Sequence, residues 1–117
     1  MPATFEVREG GRVLLFTLTD PWELNDLIPL AMHSRIHMDR ATEPVYRVFD
    51  LRSAQQLPAG VSQAQGMIGF RHAKAGATVI VGTGGVASRF EGDQRFDNEE
   101  QAWDYIRQLI ESPKGKR

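Results

Sequence analysis

The 117-residue sequence contains no cysteine. This absence excludes disulfide bonds, catalysis by a thiolate and metal sites built on cysteine, and it is compatible with a reducing compartment. No apolar run approaches the roughly 20 residues that a membrane-spanning helix needs. Residues 1–6 also lack the charged-then-apolar pattern of a secretion signal. We therefore expect a cytoplasmic protein without a membrane span.

The sequence also has no large excess of basic or acidic residues. Fourteen Lys and Arg oppose fifteen Asp and Glu, which gives a formal net charge of -1. Sequence-independent binding of nucleic acid needs a basic surface, so no nucleic-acid partner is predicted. The one basic cluster is Lys114, Lys116 and Arg117. It follows Pro113 and is predicted to belong to a solvated tail over residues 113–117.

The remaining sequence, residues 1–112, has the size and composition of one globular domain. Apolar patterning predicts strands at residues 4–9, 12–18, 45–51 and 77–82, and a short strand or extended link at 95–97. Gly10 and Gly11 join the first two strands into a hairpin. The first strand is expected at the sheet edge, and the second, nearly all apolar, is expected inside a sheet covered on both faces.

Helices are predicted between these strands. The first begins at residues 20–23 (DPWE), with Asp20 as its cap, and continues to about Arg40. Its predicted apolar face consists of Leu24, Leu27, Ile28, Ala31 and Met38. A second helix is predicted over residues 60–73, before a stop at Gly76, and a third follows the cap at residues 97–100 (DNEE). The apolar face of the third consists of Ala102, Trp103, Ile106, Leu109 and Ile110.

This order predicts an α/β fold with an open mixed sheet of four to five strands, an N-terminal β-hairpin and three to four helices. Three stretches of the chain resemble the STAS domain of anti-sigma-factor antagonists and its SpoIIAA-like relatives. They are residues 45–52 (VYRVFDLR), the strand at 77–82 and residues 95–106 (RFDNEEQAWDYI). The resemblance covers nearly the whole chain. It implies a bacterial, cytosolic, non-enzymatic module that regulates by binding a protein partner.

Regulatory members of that family carry a phosphorylated serine in the loop after the third strand. The equivalent segment here, residues 50–60, has Pro58 and Ala59 before Gly60, and neither accepts a phosphate. Ser53 and Ser62 are alternative acceptors at other offsets, but serines in loops and caps also serve as simple hydrogen-bonding residues. The resemblance therefore leaves the switching mechanism open.

A glycine-rich loop follows the fourth strand, and residues 82–87 (GTGGVA) match the dinucleotide-binding pattern GxGxxG/A. Only residues 85–92 are available for the helix that this pattern needs, and no Lys-Ser or Lys-Thr follows as in a Walker loop. No nucleotide or other cofactor is therefore predicted. Two alternatives stay open, a flexible turn and an anion-binding loop. The anion loop would comprise Gly82, Thr83, Gly84, Gly85 and Arg89.

Few residues are candidates for chemistry. Asp50 ends a central strand, where open α/β sheets place ligands. It is interpreted either as a base or ligand or as a structural acceptor for loop amides. His33 and His37 share a helix face, but position 34 lacks the glutamate of a metalloprotease pair. No metal site and no catalytic residue are predicted.

A protein partner is the leading hypothesis, and Trp22, in the first turn of a helix, is expected to be exposed. The predicted partner surface comprises Trp22, Asp50, Ser53, Leu57, Pro58, Ser62 and Phe90. The alternative is a carrier or sensor of a small ligand, lipid or anion, because SpoIIAA-like domains are similar in fold to lipid-binding SEC14-like domains. An apolar cavity beneath the first or second helix would favour that alternative. An enzyme that uses Asp50 and a histidine is the third hypothesis, and a homodimer also stays open.

Overall fold

A computed structural model describes residues 3–54, 73–82 and 92–111. Its five strands are β1 (Ala3–Arg8), β2 (Val13–Thr19), β3 (Val45–Ser53), β4 (Ala75–Val81) and β5 (Gln94–Phe96). They form one sheet in the order β1-β2-β3-β4-β5, in which β1 is antiparallel to β2 and all other neighbours are parallel. Two α-helices lie in the described residues, α1 (Leu24–Asp39) and α2 (Glu99–Glu111). The predicted α/β fold with a mixed sheet is confirmed. All of the helix predicted at 60–73 except its last residue lies outside the described residues.

The N-terminal hairpin is confirmed, with β1 at the sheet edge and β2 inside the sheet. Glu9, Gly10 and Gly11 connect the two strands in a short 3-10 turn, and all three have positive φ angles, of 54°, 63° and 94°. Glycine adopts such angles at little cost, which explains the pair of glycines in this turn. The fully buried residues of β2 are Val13, Leu14, Phe16 and Leu18.

Helix α1 begins three residues later than predicted. Its N-cap is Glu23, whose backbone N–H donates to Asp26 Oδ2 at 2.7 Å in a capping box. The prediction of Asp20 as the cap is wrong, because the helix begins only at Leu24. The backbone N–H of Asp20 donates to the Ser53 carbonyl at 3.0 Å and so continues the pairing of β2 with β3. Pro29 lies within the helix, which ends at Asp39, close to the predicted end.

The sheet has an apolar core on each face. The α1-side core packs α1 against the sheet through residues that include Leu27, Leu30, Ala31, Met38, Leu14, Phe16, Phe49 and Ile80. The α2-side core packs α2 against the other face through residues that include Ala102, Trp103, Ile106, Val13, Val48 and Val79. Leu109 and Ile110, predicted on the same face of α2, are half-buried.

Two residues of the α1 region differ from prediction. Trp22 is 4% exposed and belongs to the α1-side core, so its expected exposure is wrong. Ile28 was predicted on the buried face, but it is exposed, together with Met32 and Ile36 one and two turns later. Residues four apart share one face of a helix, so these three form a stripe beside the buried face rather than part of it.

Gly76 lies inside β4 and does not end a helix. A Cβ atom at this position would lie 2.6 Å from the Tyr46 ring of the neighbouring strand, so the glycine gives that ring room. Helix α2 begins after Asn98, whose Oδ1 accepts the Gln101 backbone N–H at 2.9 Å, in agreement with the predicted cap region. Neither α1, with 16 residues, nor α2, with 13, meets the length and hydropathy that crossing a membrane requires.

Candidate functional site

The ends of β2, β3, β4 and β5 lie together along one side of the sheet, which we call the carboxyl edge. Asp50 of β3 pairs with Val81 of β4, so the segments after these strands leave from neighbouring points. The Gly82 backbone N–H donates to the Phe96 carbonyl at 2.8 Å and ties the ends of β4 and β5 together. Open α/β sheets bind ligands outside this edge, which makes it the first place to look for function.

Asp50 and Arg52 form a two-point ion pair at the carboxyl edge. They are two residues apart in β3 and therefore lie on the same face of the sheet. Arg52 Nε donates to Asp50 Oδ1 at 2.9 Å and Arg52 Nη2 donates to Asp50 Oδ2 at 2.7 Å. The Arg52 backbone N–H also donates to Asp50 Oδ1, at 3.1 Å. Both oxygens of the carboxylate are thus engaged by one neighbouring residue.

Glu99 of α2 extends this pair into a network. Arg52 Nη2 donates to Glu99 Oε1 at 3.0 Å, and Trp103 Nε1 donates to Glu99 Oε2 at 3.0 Å. Glu99 and Trp103 are one helical turn apart, and the cap at Asn98 fixes where that turn begins. The Arg8 guanidinium lies 4.8 Å from the centre of the Trp103 ring, on its face. We call Asp50, Arg52, Glu99 and Trp103 the edge network.

The charges of the edge network stabilise one another. Burial of the Asp50 carboxyl would raise its pKa, but the hydrogen bonds from Arg52 and the charge of Arg52 outweigh this effect and hold the pKa below its ordinary value. The hydrogen bond to Asp50 in turn raises the pKa of Arg52, against a smaller opposing effect of burial, and Glu99 adds to the increase. Asp50 is therefore ionised at neutral pH and tightly paired.

The contacts of Asp50 can be compared with those that proton transfer requires. A general base works best with a pKa near the working pH and with room for the proton donor of a substrate. The pKa of Asp50 lies below its ordinary value, and both of its oxygens accept hydrogen bonds from Arg52. Of the two roles considered for Asp50, the described contacts are those of a structural acceptor.

The structure describes only some of the predicted site residues. Ser53 is exposed at the end of β3, next to Arg52. Gly82 is buried with a φ of 133°, at the start of the glycine-rich segment. Trp22 is in the core and contributes no surface. The other predicted residues lie outside the described residues: Leu57, Pro58, Ser62, Thr83, Gly84, Gly85, Arg89 and Phe90.

His33 and His37 of α1 contact different parts of the protein. The His33 ring stacks on Phe5 with a centroid distance of 5.4 Å. His37 Nε2 donates to the Gly11 carbonyl at 2.8 Å and so joins the end of α1 to the hairpin turn. In residues 3–54, 73–82 and 92–111, no three His, Asp or Glu side chains group in a way that holds a metal ion.

Arg47 is a buried charge that is not among the predicted site residues. It lies in β3 beside Thr78 of β4, and both side chains are buried. Burial lowers the pKa of Arg47 to about 10, although the charge of Asp93 partly opposes this decrease. Asp93 Oδ2 also accepts the Thr78 backbone N–H at 2.8 Å. The available signal for this residue was a charged side chain between Tyr46 and Val48, in the first half of a strand that was predicted to be buried.

Two clefts lie away from the carboxyl edge. An apolar cleft of about 360 Å³ lies between β1 and α1 and is lined by Ala3, Thr4, Phe5, Asp26, Pro29, Leu30 and His33. A second cleft, of about 490 Å³, lies between the hairpin turn and the end of α1. In the second cleft, Arg12 pairs with Glu43 at 2.8 Å and also donates to the Pro44 carbonyl, so its guanidinium is part of the wall.

No family model, no curated protein and no solved structure matches this chain. The choice among functions therefore depends on the geometry of the described residues.

Proposed function

We propose that this chain is a non-enzymatic protein-interaction module of the STAS or SpoIIAA-like type, and that its carboxyl edge contacts the partner. The observation that carries this proposal is that Arg52 is exposed and at the same time held in place. Its side chain is 43% exposed, although its guanidinium is held by the carboxylates of both Asp50 and Glu99. Arginine is enriched in protein interfaces and among the residues that dominate their binding energy.

Fixing Arg52 before binding reduces the entropy that an interface would otherwise lose. A long side chain that is ordered only on association costs roughly 0.5–1.5 kcal/mol. Arg52 already has three side-chain hydrogen bonds within the chain, to Asp50 and Glu99. The exposed Ser53 beside it adds a hydroxyl group to the same surface.

An enzymatic role has less support. The carboxylate best placed for chemistry, Asp50, is ionised and engaged by Arg52. Neither histidine of α1 lies in the edge network, since His33 stacks on Phe5 and His37 bonds to Gly11. The described part of the carboxyl edge thus supplies charge and hydrogen bonds for recognition, without a nucleophile that is paired with a base.

The test uses the tagged full chain as bait in lysate from its host, with wild type, Arg52→Ala and Arg107→Ala compared in parallel. Arg107 is the matched control, because it is exposed on α2 and pairs with Asp104 at 3.6 Å, outside the edge network. We expect a stoichiometric partner with wild type and Arg107→Ala. Calorimetry with that partner is expected to show binding at least about tenfold weaker for Arg52→Ala.

The thermal transition of each variant, followed by circular dichroism, separates loss of contact from loss of fold. A partner bound equally well by wild type and by folded Arg52→Ala would contradict the proposed surface. Failure of wild type to retain any protein would contradict the interaction role itself.

A second function, binding of a small apolar ligand, has one observation in its favour. The cleft between β1 and α1 has a volume of about 360 Å³, within the usual range for small-molecule sites, and aromatic and aliphatic groups of Phe5, Pro29 and Leu30 line it. Native mass spectrometry of the purified chain tests this function. A retained molecule that Leu30→Trp displaces would support it, and a bare polypeptide mass would count against it.

A further inference from the structure

Strand β1 has an open edge in the described part of the chain. It pairs with β2 along one side only, in six consecutive positions from Ala3 opposite Leu18 to Arg8 opposite Val13. The other side of an edge strand presents backbone N–H and C=O groups that fit a further strand. On the same face as Phe5, two residues along, Val7 is 46% exposed. The edge thus combines strand-binding groups with an exposed apolar side chain.

We propose that this edge pairs with β1 of a second copy of the chain, antiparallel and about a twofold axis through Phe5. The proposal goes beyond the proposed function, because it concerns a different surface from the carboxyl edge. Side chains directly opposite in a sheet lie on the same face, so four symmetric registers exist near the middle of β1. They place Thr4, Phe5, Glu6 or Val7 on the axis.

Charge and strand length select among these registers. With Glu6 on the axis, two exposed carboxylates would lie directly opposite each other, which destabilises a strand pair. With Val7 on the axis, only Glu6 to Arg8 would overlap, because β1 ends at Arg8 and Glu9 has a φ of 54°. With Thr4 on the axis, only Ala3 to Phe5 would overlap, because β1 begins at Ala3. The register through Phe5 overlaps all of Ala3 to Val7 and opposes no like charges.

This register also covers the exposed apolar surface at the edge. It places Val7 opposite Ala3 of the other copy, beside the apolar cleft that Ala3 and Phe5 line with Pro29 and Leu30. On the opposite face of the sheet, Thr4 lies across from Glu6 of the other copy, where a hydroxyl can donate to a carboxylate. Each contact occurs twice by symmetry, and the two sheets become one continuous sheet.

Introduced cysteines test the register, since the chain has none of its own. Residues opposite each other in antiparallel strands have Cα atoms about 4.5–5.5 Å apart, within the range of a disulfide. Thr4 and Glu6 are both exposed, so each is a suitable position for an introduced cysteine. Mixed and oxidised, Thr4→Cys and Glu6→Cys are expected to give a cross-linked pair, whereas Glu6→Cys alone gives little. Efficient cross-linking of Glu6→Cys to itself, or none in the mixture, would overturn the register.

Sedimentation equilibrium tests the dimer itself. We expect wild type to sediment at twice its 13.1 kDa mass, and Val7→Lys to weaken the dimer by about tenfold or more, because it puts a charge on the paired edge. Met32→Lys is the control. Met32 is an apolar residue on α1 that is more exposed than Val7, and this variant is expected to stay dimeric. Arg52→Ala is also expected to stay dimeric, which separates this test from that of the partner surface. Wild type that remains a 13.1 kDa monomer up to millimolar concentration would overturn the proposal.

Discussion

The Asp50 carboxylate is 15% exposed and accepts three hydrogen bonds from Arg52, which makes it a stability determinant with a defined pH range. Because the fold lowers its pKa, the ionised form stabilises the folded state at every pH above the ordinary aspartate pKa of about 3.9. This contribution is lost as the pH falls through the lower pKa of the folded state.

Asp50→Asn is therefore expected to lower the free energy of unfolding at pH 7 by about 1–3 kcal/mol, the usual effect of losing hydrogen bonds to a charged group. The variant is also expected to lose less unfolding free energy than wild type as the pH falls below 4. Urea unfolding at several pH values measures both effects. Asp104→Asn is the control, because the exposed pair of Asp104 with Arg107 is expected to contribute less than about 1 kcal/mol. Equal acid profiles for wild type and Asp50→Asn would contradict the role of the pair.

Gly82 gives a second prediction for a single residue. Its φ of 133° is rare for residues with a side chain, and an added Cβ would lie 3.4 Å from the Arg52 nitrogen and from the Leu51 carbonyl carbon. Gly82→Ala is therefore expected to cost about 1–3 kcal/mol of unfolding free energy. Gly10→Asn is the comparison, because its φ of 63° suits asparagine and no atom lies within 4 Å. A Gly82→Ala variant as stable as Gly10→Asn would show that the strain is relieved elsewhere.

Among the helices, each N-terminus has a side chain that accepts a backbone N–H. Asp26 accepts the Glu23 backbone N–H in α1, and Asn98 accepts the Gln101 backbone N–H in α2. Asp26→Ala and Asn98→Ala are each expected to lower the free energy of unfolding by about 1 kcal/mol, the typical effect of losing a cap. Asp26→Asn and Asn98→Asp retain an acceptor oxygen and are expected to keep most of the stability that the alanine variants lose. Chemical denaturation measures the free energy of unfolding of each variant. Equal values for the alanine variants and for the variants that retain an acceptor would contradict the stabilising role of these hydrogen bonds.

The strands were predictable because hydrophobic pattern alone largely defines them. The continuous apolar run of β2 indicated a strand buried on both faces, and the two glycines after β1 indicated the hairpin. The start of α1 was harder, because Asp20, Glu23 and Asp26 all carry side chains that cap helices. In the structure, Asp20 still belongs to the sheet through its bond to Ser53, a contact between positions far apart in the chain that the local sequence does not show.

The edge network was predictable only in part. Asp50 and Arg52 alternate on one strand, so their shared face follows from the strand itself. Glu99 is 47 residues from Arg52 and meets it only because α2 begins beside the end of β3. Ile28 was misplaced because α1 carries apolar residues on more than one side, so the pattern did not identify the face that packs on the sheet.

At the scale of the whole molecule, one sheet joins two cores that share no helix. Helix α1 packs on one face and α2 on the other, and each core contains one of the two tryptophans. Trp22 therefore reports on the α1-side core and Trp103 on the α2-side core. Because β2 and β3 contribute residues to both cores, we expect the two cores to unfold together.

Ile106→Ala tests this cooperativity. Ile106 is fully buried in the α2-side core, and its truncation is expected to cost about 2–5 kcal/mol through lost contacts and a residual cavity. In Trp22→Phe and Trp103→Phe backgrounds, the fluorescence of the remaining tryptophan follows one core at a time during urea unfolding. If the sheet couples the cores, Ile106→Ala lowers the midpoint equally for both probes, although it contacts only one core. A midpoint that moves for Trp103 while Trp22 keeps its original value would show that the α2 layer unfolds independently, and the shared strands would then not transmit stability between the faces.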